Sequence, residues 1–136
     1  MKPLAFLLLP LVNLILASPT DLTRCGALGV LRVNASSLPL GVSLQDVRTC
    51  AEHPLRVSPA GPDLQRRSCW YGAKWGCTGG YCWKACDASE SGKWCWTSAP
   101  RGQGLGPWMR CTLNEQCNED LPCGLGEHCS SCGCSC

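Results

Sequence analysis

The sequence predicts a small disulfide-rich fold: short β-hairpins with little helix, knottin- or defensin-like in character, preceded by a short α+β pro-like segment. Three observations point there. Fourteen of 136 residues are cysteine, far above ordinary globular usage, so cross-links or metal must substitute for a large core. The N-terminus, MKPLAFLLLPLVNLILA, carries Lys2, an apolar run over residues 4–16 and a small closing residue, Ala17. That is the layout of a secretory signal peptide, too short and too poorly flanked for a membrane anchor. Thirdly, GGYCWKAC and KWCWT flank a loop of small and acidic residues and alternate cysteine with aromatic residues at strand period.

The chain divides into a signal peptide (1–17), an N-terminal segment or pro-region (18–67) and a cysteine-rich domain (68–136). The boundary RVSPAGPDLQRRSCW holds Pro59, Gly61 and Pro62, a linker signal, and the pair Arg66-Arg67. That pair is either a processing site, with cleavage after Arg67, or a solvated basic patch. An even number of cysteines on an oxidising route predicts disulfides and an extracellular product. Asn34-Ala35-Ser36 is an N-glycosylation sequon, usable only in a secreted chain. The formal charge of +2 drops to +1 once Lys2 leaves with the leader, too little for a nucleic-acid partner. Stable membrane insertion is not expected either, and the product should be a monomer.

In the N-terminal segment, GVLRV at 29–33 is β-prone and ends at the turn-rich NASSLPLG. Ser43-Leu44-Gln45-Asp46 resembles a capping box with Asp in place of Glu or Gln. Leu44, Val47 and Ala51 then follow at helical spacing until Pro54 stops the pattern. Cys25 and Cys50 are the two cysteines before residue 68, so they should pair, contributing roughly 3 kcal/mol on the chain-entropy account.

Cys25-Gly26, Leu28-Gly29-Val30, Leu38-Pro39-Leu40-Gly41-Val42 and the run from Val47 to Leu55, VRTCAEHPL, make up a signature. It resembles that of small secreted cysteine-rich proteins of filamentous fungi. YGAKWGCTGGYCWKAC, GKWCWT and the closing CGCSC are similar to the same group, which includes a protein induced during vegetative incompatibility. The resemblance covers most of the mature chain. It implies a secreted fungal protein connected with cell death, antagonism or host interaction, and it supplies no catalytic residues.

If GGYCWKAC and KWCWT are two strands, Cys82, Lys84 and Cys86 share one face and Tyr81, Trp83 and Ala85 the other. On the second strand Lys93, Cys95 and Thr97 lie opposite Trp94 and Trp96. Pairing then puts the cysteines toward the body of the domain and leaves Tyr81, Trp83, Trp94 and Trp96 as an aromatic plate on the reverse. The alternative takes Cys82 and Cys86 as one helical turn of a cystine-stabilised fold; the β-rich character of the segment favours the hairpin. The plate is either a cover for the cystines, with the first half packed over it, or an exposed binding face. Trp70, Tyr71, Trp75 and Trp108 are further candidates.

The twelve remaining cysteines are Cys69, Cys77, Cys82, Cys86, Cys95, Cys111, Cys117, Cys123, Cys129, Cys132, Cys134 and Cys136. They permit on the order of ten thousand pairings. CSSCGCSC resembles a soft-metal tract, but export through an oxidising pathway pairs thiolates, so no metal or other cofactor is expected. The six-residue spacing of Cys111, Cys117, Cys123 and Cys129 leaves room only for turns, with one helical turn near 113–117. Beyond Cys111 there are four carboxylates, Glu115, Glu119, Asp120 and Glu127, and no Lys or Arg, a solvated face without a calcium-loop motif.

Catalysis has little support. The chain has two histidines, His53 and His128, and no nucleophile elbow, zinc-protease or phosphate-loop motif. Asp87 and Glu90 share one short loop with no cleft to desolvate either. The expectation is therefore a non-enzymatic, toxin-like effector that acts on a protein or glycan target of another cell. The alternatives are a chitin- or glycan-binding module and an antimicrobial peptide. The last is weakened because 68–136 holds five Lys or Arg against six Asp or Glu, a net charge of −1.

Overall fold

The computed structural model describes residues 18–56, 68–87 and 91–136. The segment expected to be a signal peptide, with Ala17, the expected linker with Arg66-Arg67, and Glu90 lie outside them. The described residues form a small, disulfide-rich and mostly β fold. It has one short helix, α1 (Pro19–Cys25), and one antiparallel sheet of β1 (Trp75–Thr78), β2 (Tyr81–Ala85) and β3 (Trp94–Trp96), in that spatial order.

The predicted hairpin is β2 with β3, paired Trp83 to Trp96, Lys84 to Cys95 and Ala85 to Trp94; the helical alternative for residues 82–86 is not what forms. β1 is an addition to the sequence reading. It pairs with β2 through Thr78 opposite Tyr81 and Cys77 opposite Cys82, leaving Gly79-Gly80 as a two-residue turn with φ of 59° and 84°. A turn with both central φ positive matches the right-handed twist of the strands, and glycine adopts it without steric cost.

Strand alternation sorts the side chains as expected. Cys82 and Cys95 are fully buried on one face, and Trp83 and Trp96 lie on the other. The cysteine face is the core. Cys82, Cys111, Cys117 and Leu121 form its buried centre, with Trp75, Cys77 and Met109 packed against it. The bridges Cys77–Cys111, Cys82–Cys117 and Cys95–Cys123 tie the strands to the tail. Cys86–Cys134 and Cys69–Cys136 fasten its end, and Cys129–Cys132 closes a small loop. With Cys25–Cys50, the predicted pair, all fourteen cysteines are cross-linked. The tail supplies sulfur in place of long elements; its one helical turn, Asn114–Gln116, falls where the spacing predicted it.

The N-terminal segment departs from its predicted α+β form in two places. GVLRV contributes a single bridge, Val30 to Cys50, not a strand. The helix predicted from Ser43 is one 3-10 turn, Leu44–Asp46. The Asp46 carboxylate does accept hydrogen bonds from the Ser43 N–H at 3.0 Å and its hydroxyl at 2.7 Å, so the start signal was real. Propagation fails because Val47 is extended and the Arg48 N–H donates to the Leu105 carbonyl at 2.9 Å. A long-range partner takes the donor that a helix would need. The helix that does form, α1, has Pro19 in its first turn, Asp21 near its N-terminus and Arg24 in its last turn, all favourable placements.

Candidate functional site

On the reverse of the sheet the aromatic side chains form a continuous row. The Trp70 ring meets Trp83 edge to face with centroids 5.4 Å apart; Trp83 meets Trp94 at 6.3 Å, and Trp94 meets Trp96 at 5.1 Å. The antiparallel pairing of β2 with β3 sets Trp83 on the face that also carries Trp94 and Trp96, and neighbouring rings in the row meet edge to face, the arrangement that aromatic quadrupoles favour. Polar handles fix them: Trp83 Nε1–H donates to Thr78 Oγ1 at 3.0 Å, Trp94 Nε1–H to the Ser68 carbonyl at 3.0 Å, and Trp70 Nε1–H to the Ala73 carbonyl at 2.8 Å.

One end of the row is closed. His53, fully buried, stacks on Trp96 with centroids 4.1 Å apart and planes 5° from parallel. It also meets Tyr81 and Trp108 edge-on at 4.5 and 4.9 Å. Trp96, read as part of a plate either covered by the first half or exposed as a binding face, is only 9% exposed: at this end the N-terminal segment covers the row through His53. Tyr81 is half-buried, its hydroxyl accepting from Arg110 Nη1 at 2.8 Å, so it edges the closed end. Trp75 lies on the cysteine face, against the core, and is no part of the row.

The other end is open. Trp83 and Trp94 are half-buried, while Trp70 and Tyr71 are 46% and 71% exposed. Residues 68–71 run beside the β2–β3 loop, with the Trp70 N–H donating to the Gly92 carbonyl at 2.8 Å. Of the four binding residues read from the sequence, Trp83 and Trp94 thus reach solvent beside Trp70 and Tyr71, while Tyr81 and Trp96 sit at the covered end. Asn34 is exposed, its side chain accepting from the Ser36 N–H at 2.9 Å; Lys84 folds back so that Nζ donates to the Glu119 carbonyl at 2.7 Å.

Sequence reasoning missed the residues that attach the cover. Arg48 is buried and donates to the carbonyls of Gly104 at 3.0 Å and Leu125 at 2.6 Å, with its guanidinium 4.2 Å from the Trp108 ring centre. Burial pushes its pKa down to about 10, opposed by the negative charge of Glu52; it remains a cation at neutral pH. Glu52, also buried, accepts from the backbone N–H groups of Ser130 at 2.7 Å and Ser131 at 3.0 Å and from both hydroxyls. The sequence signal was the charge pattern itself, Arg48 and Glu52 placed two residues either side of Cys50.

Two places crowd three or more sulfur atoms within 4.8 Å: Cys86, Cys95, Cys123 and Cys134, and Cys82, Cys111 and Cys117. Every one is bridged, and a cystine sulfur lacks the thiolate charge that binds soft metals. No helix among the described residues is long and apolar enough to cross a membrane. No family model, curated protein or solved structure matches the chain.

Proposed function

We propose that this protein is a secreted, non-enzymatic effector that acts on other cells by binding a surface target through the open end of its aromatic row. One observation carries the reading. Trp70 stands exposed against half-buried Trp83, which meets Trp94, and exposed Tyr71 follows it with its ring at Gly92, while the core is built from cystines on the opposite face. The fold therefore has no need of these rings for its interior, and apolar rings grouped at the surface of a small secreted protein mark an interaction face. Cross-linking suits a protein that must keep that face rigid outside the cell. A binding role also accords with the two histidines: His53 is enclosed between aromatic rings, and His128 lies in an exposed turn.

The glycan-binding alternative needs rings presented flat, one sugar to a ring. Neighbouring tryptophan rings here cross at 73°, 71° and 83°, so they do not form one flat platform. We expect the oxidised protein to flow through a chitin column, and retention would favour the glycan module instead.

The test of the main reading is a double variant, Trp70→Ala with Tyr71→Ala, applied to responsive cells beside the wild type. The expected result is loss of surface binding and of the cell response at least tenfold in dose, since aromatic anchors dominate interfaces by ~2 kcal/mol or more each. Secreted yield and a mass showing seven bridges should be unchanged. A full response from the variant overturns the proposal.

A further inference from the structure

The Cys129–Cys132 bridge is unlike the other six. Its cysteines are three residues apart, against separations of 25–67 for the rest. Closing so short a ring removes little entropy from the unfolded chain, so the bridge adds little to stability. The loop is shaped by other means, since Glu52 accepts from both backbone N–H groups and both hydroxyls of Ser130 and Ser131. Opening the bridge would leave those four hydrogen bonds in place.

The two sulfurs have opposite charge environments. Arg48 Nη2 donates to Cys132 Sγ at 3.2 Å. The Glu52 carboxylate, through Oε2, lies 3.8 Å from Cys129 Sγ. A guanidinium stabilises a thiolate at Cys132, while a carboxylate keeps the proton on Cys129. Both cysteines are half-buried and Ser130 between them is exposed, so an external thiol can approach. Cys82 and Cys95, by contrast, are sealed.

We propose that Cys129–Cys132 is a redox-exchangeable disulfide, a two-electron acceptor for external dithiols in which Cys129 is the sulfur attacked and Cys132 the leaving thiolate. A thiolate of the dithiol attacks Cys129 Sγ, the S–S bond breaks, and its electron pair departs on Cys132 beside the Arg48 guanidinium. The second thiol of the reductant gives its proton to water and attacks the mixed disulfide at the reductant's own sulfur. The reductant leaves as a disulfide, and Cys129 departs and takes up a proton, donated onward in hydrogen bonding to Glu52. A stabilised leaving thiolate speeds the first step. This site is separate from the aromatic face, and the inference does not rest on the binding role.

The experiment is graded reduction of the full-length oxidised protein with dithiothreitol at neutral pH, quenched with N-ethylmaleimide and mapped by peptide mass. The first reduced species should carry two labels, on Cys129 and Cys132, at a dithiol concentration about tenfold below that opening any other bridge. First labels on Cys69 and Cys136, or on Cys86 and Cys134, would show that exposure alone decides and would overturn the proposal; so would all seven bridges opening together. Brief alkylation of the two-electron-reduced form should modify Cys132 about tenfold faster than Cys129, and equal or reversed rates overturn the assignment of the leaving sulfur. The double variant Cys129→Ser with Cys132→Ser should be secreted with six bridges, and its failure to fold would make the bridge structural.

Discussion

Arg48 turns one buried cation into five carbonyl contacts: Cys50, Ala51, Gly104, Gly106 and Leu125. A guanidinium can do this because its donors fan out in one plane, whereas an ammonium offers three donors at a point. Arg48→Lys should therefore strand some of those carbonyls in the interior and cost about 2 kcal/mol, read as a lower guanidinium midpoint in the oxidised protein; an unchanged midpoint would mean water or neighbouring donors fill in. Asp46 makes a second residue-scale prediction. Hydrogen bonds from the Ser43 hydroxyl and then the Ser43 N–H hold its carboxyl below the ordinary 3.8, helped by the Arg101 charge. A carboxyl lowered by folding favours the turn above its unfolded value and loses that contribution as pH falls through the folded one. The Ser43 amide resonance should titrate with a midpoint below 3.8; a midpoint at or above it would mean the turn does not hold the charge.

At the scale of elements, β1 exists to support the aromatic row as well as to carry Cys77. Gly76 lies opposite Trp83, and a Cβ there would sit 2.7 Å from the Trp83 ring. The ring lies flat across the strand because nothing projects beneath it. Gly76→Ala should push Trp83 outward, break its bond to Thr78 and cost roughly 1–3 kcal/mol, visible as a lower denaturation midpoint and a red-shifted tryptophan emission. Wild-type emission and stability would mean the sheet can part from the ring. β2 and β3 were legible in the sequence because Cys82, Cys95 and the intervening aromatics obey a period of two. Gly79-Gly80 is a hairpin signal too, but WGCT before it is four residues with a glycine at the second, too short a pattern to mark β1. That the first half packs over the row was one of two readings open in the sequence; which residues make the contact was not legible. Nothing local says that His53, beyond a 3-10 turn and a bridge, will stack on Trp96 more than forty positions away; that contact is long-range, like those of Arg48 with Gly104 and Glu52 with Ser131 beside it.

For the molecule as a whole, the decisive feature is how the bridges divide. One bridge, Cys25–Cys50, lies within the N-terminal segment, and six lie within 69–136. No sulfur joins the two parts. The segment is held instead by Arg48 among the carbonyls of the 104–125 region, Glu52 on Ser130 and Ser131, and His53 among Trp96, Tyr81 and Trp108. Buried charges with satisfied partners lose several kcal/mol when separated, and the aromatic contact adds apolar area, so the docking should survive a cut in the connecting chain. Cleavage after Arg67 by a dibasic-specific protease should yield two chains that co-elute in native buffer and separate in denaturant without any reductant. Separation should also uncover Trp96 and Trp108 and shift their emission to the red. Dissociation at micromolar dilution in native buffer would instead make the segment a removable pro-region, with the covered end of the aromatic row becoming part of the working surface once it leaves.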